Sequence, residues 1–196
     1  MKIAIDIDGV LLDVVTPIIE IYNRKNNTSF KLEDFKHHDF HKTWGGTFQE
    51  AVDFVNKFWE MAEFLHLKPF PDSVRCVNEL SKDHELIIVT NRPEAVKVKT
   101  EKQIHHHFPD IFEVIHFTSQ YDKSAEDKKF TKSEILAKLG AEVIVEDCLE
   151  LVLDLPENIR GILLDRPWNQ GELPGNVIRV NSWEEVLGTI NAFALQ

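Results

Sequence analysis

The chain has 196 residues, enough for one sizeable core with an appendage and short for two domains of ordinary size. Its 43% hydrophobic content, with 13 Phe and four Trp, excludes a disordered polypeptide, and its net charge of −11 argues against a nucleic acid polymer or an acidic membrane face, both of which need basic patches. Cys76 and Cys148 are too few and too far apart for a disulfide framework, so a reducing compartment is expected.

The first stretch, Lys2-Ile3-Ala4-Ile5-Asp6-Ile7-Asp8-Gly9-Val10, reads as a buried parallel strand that delivers two alternate carboxylates to a loop, where Gly9 lets the backbone bend. Val14, Val15, Ile18, Ile19, Ile21 and Tyr22 then recur at helical spacing and predict a helix over 14–27, with Asn26-Asn27 as its stop. A polar, aromatic-rich stretch over 28–46 follows, and a second helical pattern runs from 48 to about 64. Leu67-Lys68-Pro69-Phe70-Pro71 breaks that pattern, because each Pro disfavours helix at the residue before it, so 14–71 reads as an insertion.

From there the elements alternate: a helix from 72, a strand over 85–89, a helix from 93, a strand over 112–117, a helix from 131, and strands over 142–145 and 161–164. A short strand over 177–180 and a closing helix over 182–193 complete the chain, with Ser182 and Glu185 in the form of a capping box. This rhythm predicts an α/β fold, with a Rossmann-like parallel sheet covered by helices on both faces and built from 1–13 and 72–196. There is no basic-then-apolar leader and no apolar run of membrane-spanning length, so a soluble, cytoplasmic protein without a membrane partner is expected.

In open parallel sheets ligands bind beyond the carboxyl ends of the strands, so residues that follow each apolar run are the candidates. The first run ends in Asp6 and Asp8, the next in Thr90-Asn91, and a later one in Glu146-Asp147, with Lys132 opening the helix before it. Thr90-Asn91 sits between a strand end and a helix start, where backbone N–H groups meet anions, although capping the next helix is the plainer role. Glu146-Asp147 closes an apolar strand, and an ionised carboxylate there needs a cation or donors to offset its desolvation. A helix cap at Asp147 is the plainer alternative, as a solvated face is for the run Asp127-Lys128-Lys129-Phe130-Thr131-Lys132.

The segment "DIDGV" after an apolar strand resembles the first motif of the haloacid dehalogenase superfamily of phosphohydrolases, and Thr90, Lys132 and Glu146-Asp147 resemble its other three motifs in the right order. The resemblance implies that Asp6 is a nucleophile forming an aspartyl phosphate and that Asp8 is the general acid/base. It further implies that Gly9, Thr90, Asn91 and Lys132 bind the phosphate, with Lys129 the alternative lysine. Mg²⁺ would be held by Asp6, Asp147 and the carbonyl of Asp8, with Glu146 sharing the acid pair. Enzymes of this superfamily that cleave carbon–halogen bonds lack an acid at the place of Asp8, which favours phosphate esters.

The insertion over 14–71 would then be a small helical cap, the part that chooses the substrate in this superfamily. "KFWEMAEFLHLKPFPDSV", "ILLDRPWNQ" and "VNSWEEV" resemble the 5′(3′)-deoxyribonucleotidase family, which implies a nucleoside monophosphate as substrate. Another small phosphate ester, such as a sugar phosphate, and a non-catalytic binding protein of the same fold are the alternatives. Nucleobases stack on aromatic rings, and Trp44 beside Gly45-Gly46 is the expected base-facing residue. The family's usual aromatic after the first motif is replaced here by Val14, and Cys148-Leu149 stands where Arg-Pro would follow the acid pair. The clusters His37, His38, His41 and His105 to His107 are further metal-ligand candidates, and a homodimer is the assembly kept open.

Overall fold

The computed structural model describes residues 1–118 and 130–195, so the alternative lysine Lys129 lies outside the described residues. Short runs rich in Val, Ile and Leu form the strands β1 (Lys2–Ile5), β2 (Glu85–Thr90), β3 (Ile115–Phe117), β4 (Val143–Glu146), β5 (Arg160–Leu164) and β6 (Val177–Val180). All pair in parallel, in the order β3-β2-β1-β4-β5-β6. Every residue of β4 is buried, as expected of a central parallel strand covered on both faces.

The alternation of side chains divides the core in two. Ile3, Ile5, Val143 and Val145 face one way into the larger cluster, while Ala4 and Ile144 face the other way, against Leu136 and Ile159. The larger cluster is completed by α1 (Val15–Asn26), α5 (Ser73–Leu80), α6 (Lys97–His107) and α9 (Trp183–Ala194), and the smaller one by α7 (Lys132–Leu139). Helices therefore cover both faces of the sheet.

Three further helices, α2 (His41–Trp44), α3 (Phe48–Phe58) and α4 (Ala62–Leu65), join α1 between the first two strands, and α8 (Leu149–Leu153) follows β4. The two ends of that excursion are stitched together: Asp13 N donates to Lys68 O at 2.9 Å and Phe70 N to Leu11 O at 3.0 Å. Among the described residues no helix is long and apolar enough to cross a membrane.

The helices α2 and α8 have no counterpart in the sequence expectation, α6 starts at Lys97 rather than 93, and three further elements differ from it in detail. The helix expected to reach about residue 64 stops at Phe58, Met61 is extended, and α4 begins at Ala62. A continuous helix would point Phe58 and Phe64 roughly 120° apart, whereas the break buries both against Trp59. The strand expected from 112 starts only at Ile115, because Phe112 packs on Phe108 instead. The closing helix takes only half of its capping box: Ser182 Oγ accepts from Glu185 N, but Glu185 Oε2 accepts from Asn181 N rather than from Ser182.

Candidate active site

The strand order reverses direction beside β1, which is the crevice where ligands bind in open α/β sheets. Pairing continues one residue beyond β1, with Asp6 N donating to Val145 O at 3.1 Å, so Asp6 stands next to the acid pair that ends β4. The chain then turns sharply, with Leu11 N and Leu12 N both donating to Ile7 O. Gly9 has φ +79°, and a Cβ there would lie 1.9 Å from Asp147 Oδ2, so only glycine lets this turn approach the acid.

Asp6, Glu146 and Asp147 are buried and each offers an oxygen, with all three oxygens within 4.8 Å of one another. Thr131 and Glu134 form a reciprocal capping box at the start of α7, and this places Lys132 at the first helical position, aimed inward. Lys132 Nζ donates to Asp6 Oδ1 at 2.8 Å and to Glu146 Oε1 at 2.7 Å. The second oxygen of Glu146 accepts from Asp147 N at 3.0 Å, so both its oxygens are engaged by the protein.

One ammonium does not balance three buried carboxylates. Burial raises the Asp6 carboxyl to about 7, with Glu146 adding to the rise and Lys132 opposing it. Burial likewise pushes Asp147 up to about 7, helped by the charge of Asp6, and raises Glu146. The same burial disfavours the Lys132 ammonium, but Asp6 and Glu146 outweigh it and hold the group above its ordinary value. A cluster of hard carboxylate oxygens that is short of positive charge fits a divalent cation.

Asp8 has a separate partner. Arg92, from the turn after β2, donates to its carboxylate from Nε at 2.8 Å and from Nη2 at 2.6 Å, a two-point fork. Thr90 is buried and its hydroxyl accepts from Arg92 N at 3.3 Å, while Asn91 Oδ1 accepts from Thr118 Oγ1 at 2.6 Å. Asp6, Asp8, Thr90, Asn91, Glu146 and Asp147 all line one cavity of about 200 Å³. Lys132 lies behind Asp6, and Gly9 abuts Asp147.

The other wall of this cavity comes from residues 14–71, through Val14, Ile18, Phe35, His37, His38, Phe40 and Trp59. Trp44, the expected base-facing residue, is not part of it. Its ring is stacked 4.0 Å from Tyr22 and 4.9 Å from Phe40, and it borders a separate groove with Lys25 and Glu50. With Tyr22 and Phe40 stacked on it, Trp44 packs among the inserted residues, and Phe35, Phe40, Trp59 and Trp168 are the rings that line the cavity with the acids. Of the histidines, His37 and His38 line the cavity. In the second cluster, His107 Nε2 meets Leu67 O at 3.1 Å.

The four motifs give no role to Arg92 or to the turn after β5, Arg166-Pro167-Trp168-Asn169-Gln170. Trp168 Nε1 donates to Asp147 Oδ2 at 3.1 Å, Asn169 Nδ2 donates to Asp147 O at 2.8 Å, and Arg166 Nη2 donates to Gly9 O at 2.7 Å. The turn after β5 thus holds the first and fourth motifs together. Its position after a strand end was the available signal.

The family described as 5′ nucleotidase, deoxy (pyrimidine), cytosolic type C protein matches residues 1–195. The chain belongs to this family. Among curated nucleotidases it is 24% identical to one of Clostridium acetobutylicum over 193 residues, covering 97% of this chain and 94% of that one. With the 5′(3′)-deoxyribonucleotidase of Bacillus subtilis it shares 26% identity over 189 residues, 94% and 95% of the two chains. A Bacillus cereus protein named as a nucleotidase is 31% identical over 106 residues, and the chain spans 56% of that relative.

Solved structures share the fold of this nucleotidase family member. A haloacid dehalogenase-like hydrolase from Streptococcus pneumoniae superposes with TM-score 0.64 at 16% identity, covering 96% of this chain and 97% of that one. The HAD-hydrolase YfnB of Bacillus subtilis, a structure bound to magnesium, does so with TM-score 0.59 at 12% identity over 97% and 98% of the chains.

Proposed function

We propose that the protein hydrolyses nucleoside 5′-monophosphates through an aspartyl phosphate on Asp6. The observation that carries this reading is the Asp6 carboxylate at the sheet's switch point, held by Lys132 at 2.8 Å and open to the cavity that also holds Asp8. Asp6 attacks phosphorus, the P–O bond to the ester alcohol breaks, and Asp8 gives that oxygen a proton. Water then attacks the aspartyl phosphate, Asp8 takes its proton, and Asp6 and inorganic phosphate are released.

Asp6 and Asp147 would hold Mg²⁺ together with the Asp8 carbonyl, and Glu146, whose oxygens are already engaged, would support them. Bound there, Mg²⁺ orients the phosphate and offsets the charge that develops on it. Thr90, Asn91, Gly9 and Lys132 bind the phosphoryl oxygens in this reading. Residues 14–71 act as a cap over a core of 1–13 and 72–196, and Phe40 and Trp59 replace Trp44 as the surfaces offered to a base. The free thiols of Cys76 and Cys148 suit a cytoplasmic setting.

Phosphate release from a panel of deoxynucleotides, ribonucleotides and sugar phosphates, with Mg²⁺ or with chelator, tests the reading. Deoxynucleotides should lead the panel and chelator should abolish release. Sugar phosphates that match them would remove the nucleotide assignment, and release unaffected by chelator would remove the cation.

A further inference from the structure

Arg92 is 2% exposed, and every nitrogen of its guanidinium is engaged. Nε and Nη2 grip the Asp8 carboxylate, while Nη1 donates to Thr100 Oγ1 at 3.2 Å and Gln103 Oε1 at 2.9 Å, both on α6. Gln103 in turn donates from Nε2 to Phe64 O at 2.6 Å, and the guanidinium lies over the Phe64 ring at 4.9 Å from its centroid. A buried arginine is costly unless such partners compensate it, and a charge is not needed here for packing alone.

The site contains two carboxylates two residues apart, each with its own cation: Asp6 with Lys132 and Asp8 with Arg92. The two cations differ in kind. Lys132 is a point charge shared with Glu146, whereas Arg92 is a planar fork that fixes the plane of the Asp8 carboxylate as well as its charge. The fork is itself braced from α6 and, through Gln103, from the strand-ward end of residues 14–71.

From this we infer that Arg92 is a positioning residue: it holds Asp8 at the angle required to pass a proton to the leaving oxygen, and Gln103 holds Arg92. The inference rests on the assignment of Asp8 as the general acid. Its signature is dependence on the leaving group. An alkoxide, as in a nucleoside monophosphate, needs the proton; p-nitrophenolate leaves without it. The ratio kcat/KM reports the steps up to departure of that group and is blind to the later hydrolysis.

The experiment compares kcat/KM for a deoxynucleoside 5′-monophosphate and for p-nitrophenyl phosphate in Arg92→Gln, Asp8→Asn and the double variant. Arg92→Gln should lose about 100-fold on the nucleotide, the lower end of what general acid catalysis supplies, and only a few-fold on the aryl ester. The double variant should be no worse than Asp8→Asn, since the two residues act as one unit. Equal losses on both esters, or losses that multiply, would show Arg92 to be structural and overturn the inference. If Asp8→Asn itself shows no leaving-group selectivity, the acid assignment fails and takes the inference with it, which separates the two failures. Should Arg92→Gln not fold, Gln103→Met decides: a smaller loss confined to the nucleotide supports the inference, and a loss shared by both esters, or none, overturns it.

Discussion

Lys132 is the residue on which the acid cluster depends, since it is 2% exposed and bonds both Asp6 and Glu146. Lys132→Met would leave two buried carboxylates without their cation, a change that costs about 3–5 kcal/mol when one partner of a buried pair is removed. Denaturant unfolding should show that loss in chelator, and added Mg²⁺ should restore part of it, because a bound cation offsets the same charge. Trp168 acts on the cluster from outside, through its bond to Asp147 Oδ2. Partners that orient a ligand in this way are worth about 10–100-fold in metal affinity, so Trp168→Phe should weaken Mg²⁺ binding by that factor in calorimetry while the fold stays intact. At this scale the acids were readable, because an ionised group after an apolar run is conspicuous. Arg92 and Trp168 were not, because a polar turn after a strand looks the same whether or not its side chains fold back onto the site. Trp44 beside two glycines read as an open loop residue, and only the stacking of Tyr22 and Phe40 on its ring shows that it is half-buried and turned away from the cavity.

The element that ties the inserted residues to the sheet is α6. Lys99, Gln103 and His107, spaced four apart on one face, reach the carbonyl oxygens of Trp59, Phe64 and Leu67. Burial holds the His107 imidazole below its ordinary pKa, so the folded protein prefers its neutral form. A group depressed in this way contributes stability that is present above its unfolded value, about 6.5, and is lost as pH falls below it. Between about pH 7.5 and 5.5 the wild type should therefore lose melting temperature relative to His107→Gln, and parallel pH profiles for the two proteins would rule this out. The buried carboxylates titrate alike in both proteins, so the difference isolates His107. Strands of four or five apolar residues with turn signals at each end were legible as elements. The break in the helix over 59–61 was not, since the periodicity of Phe54, Phe58 and Trp59 fits a continuous helix until Phe64 must pack against Phe58 and Trp59. The five residues of α8 are too few to show any period.

On the scale of the whole molecule, the alternation of helices and strands implied a parallel sheet, but the strand order came only with the structure. That order puts the ends of β1 and β4 side by side and so gathers Asp6, Glu146 and Asp147, which are separated by some 140 residues of chain, into one cluster. The inserted residues leave and rejoin the sheet at a single point, Leu11 to Asp13 against Lys68 to Phe70, and bring an apolar wall to face the acids. A charged floor under an apolar wall suits an ester with a phosphate at one end and a ring at the other. The central claim is that Asp6 carries the phosphoryl group between these two parts. The most direct measurement is mass spectrometry of the protein after rapid acid quench during turnover of a deoxynucleoside monophosphate. The account predicts one added phosphoryl group on the peptide that contains Asp6, absent in Asp6→Asn; turnover by Asp6→Asn, or a phosphoryl group on any other residue, would contradict it.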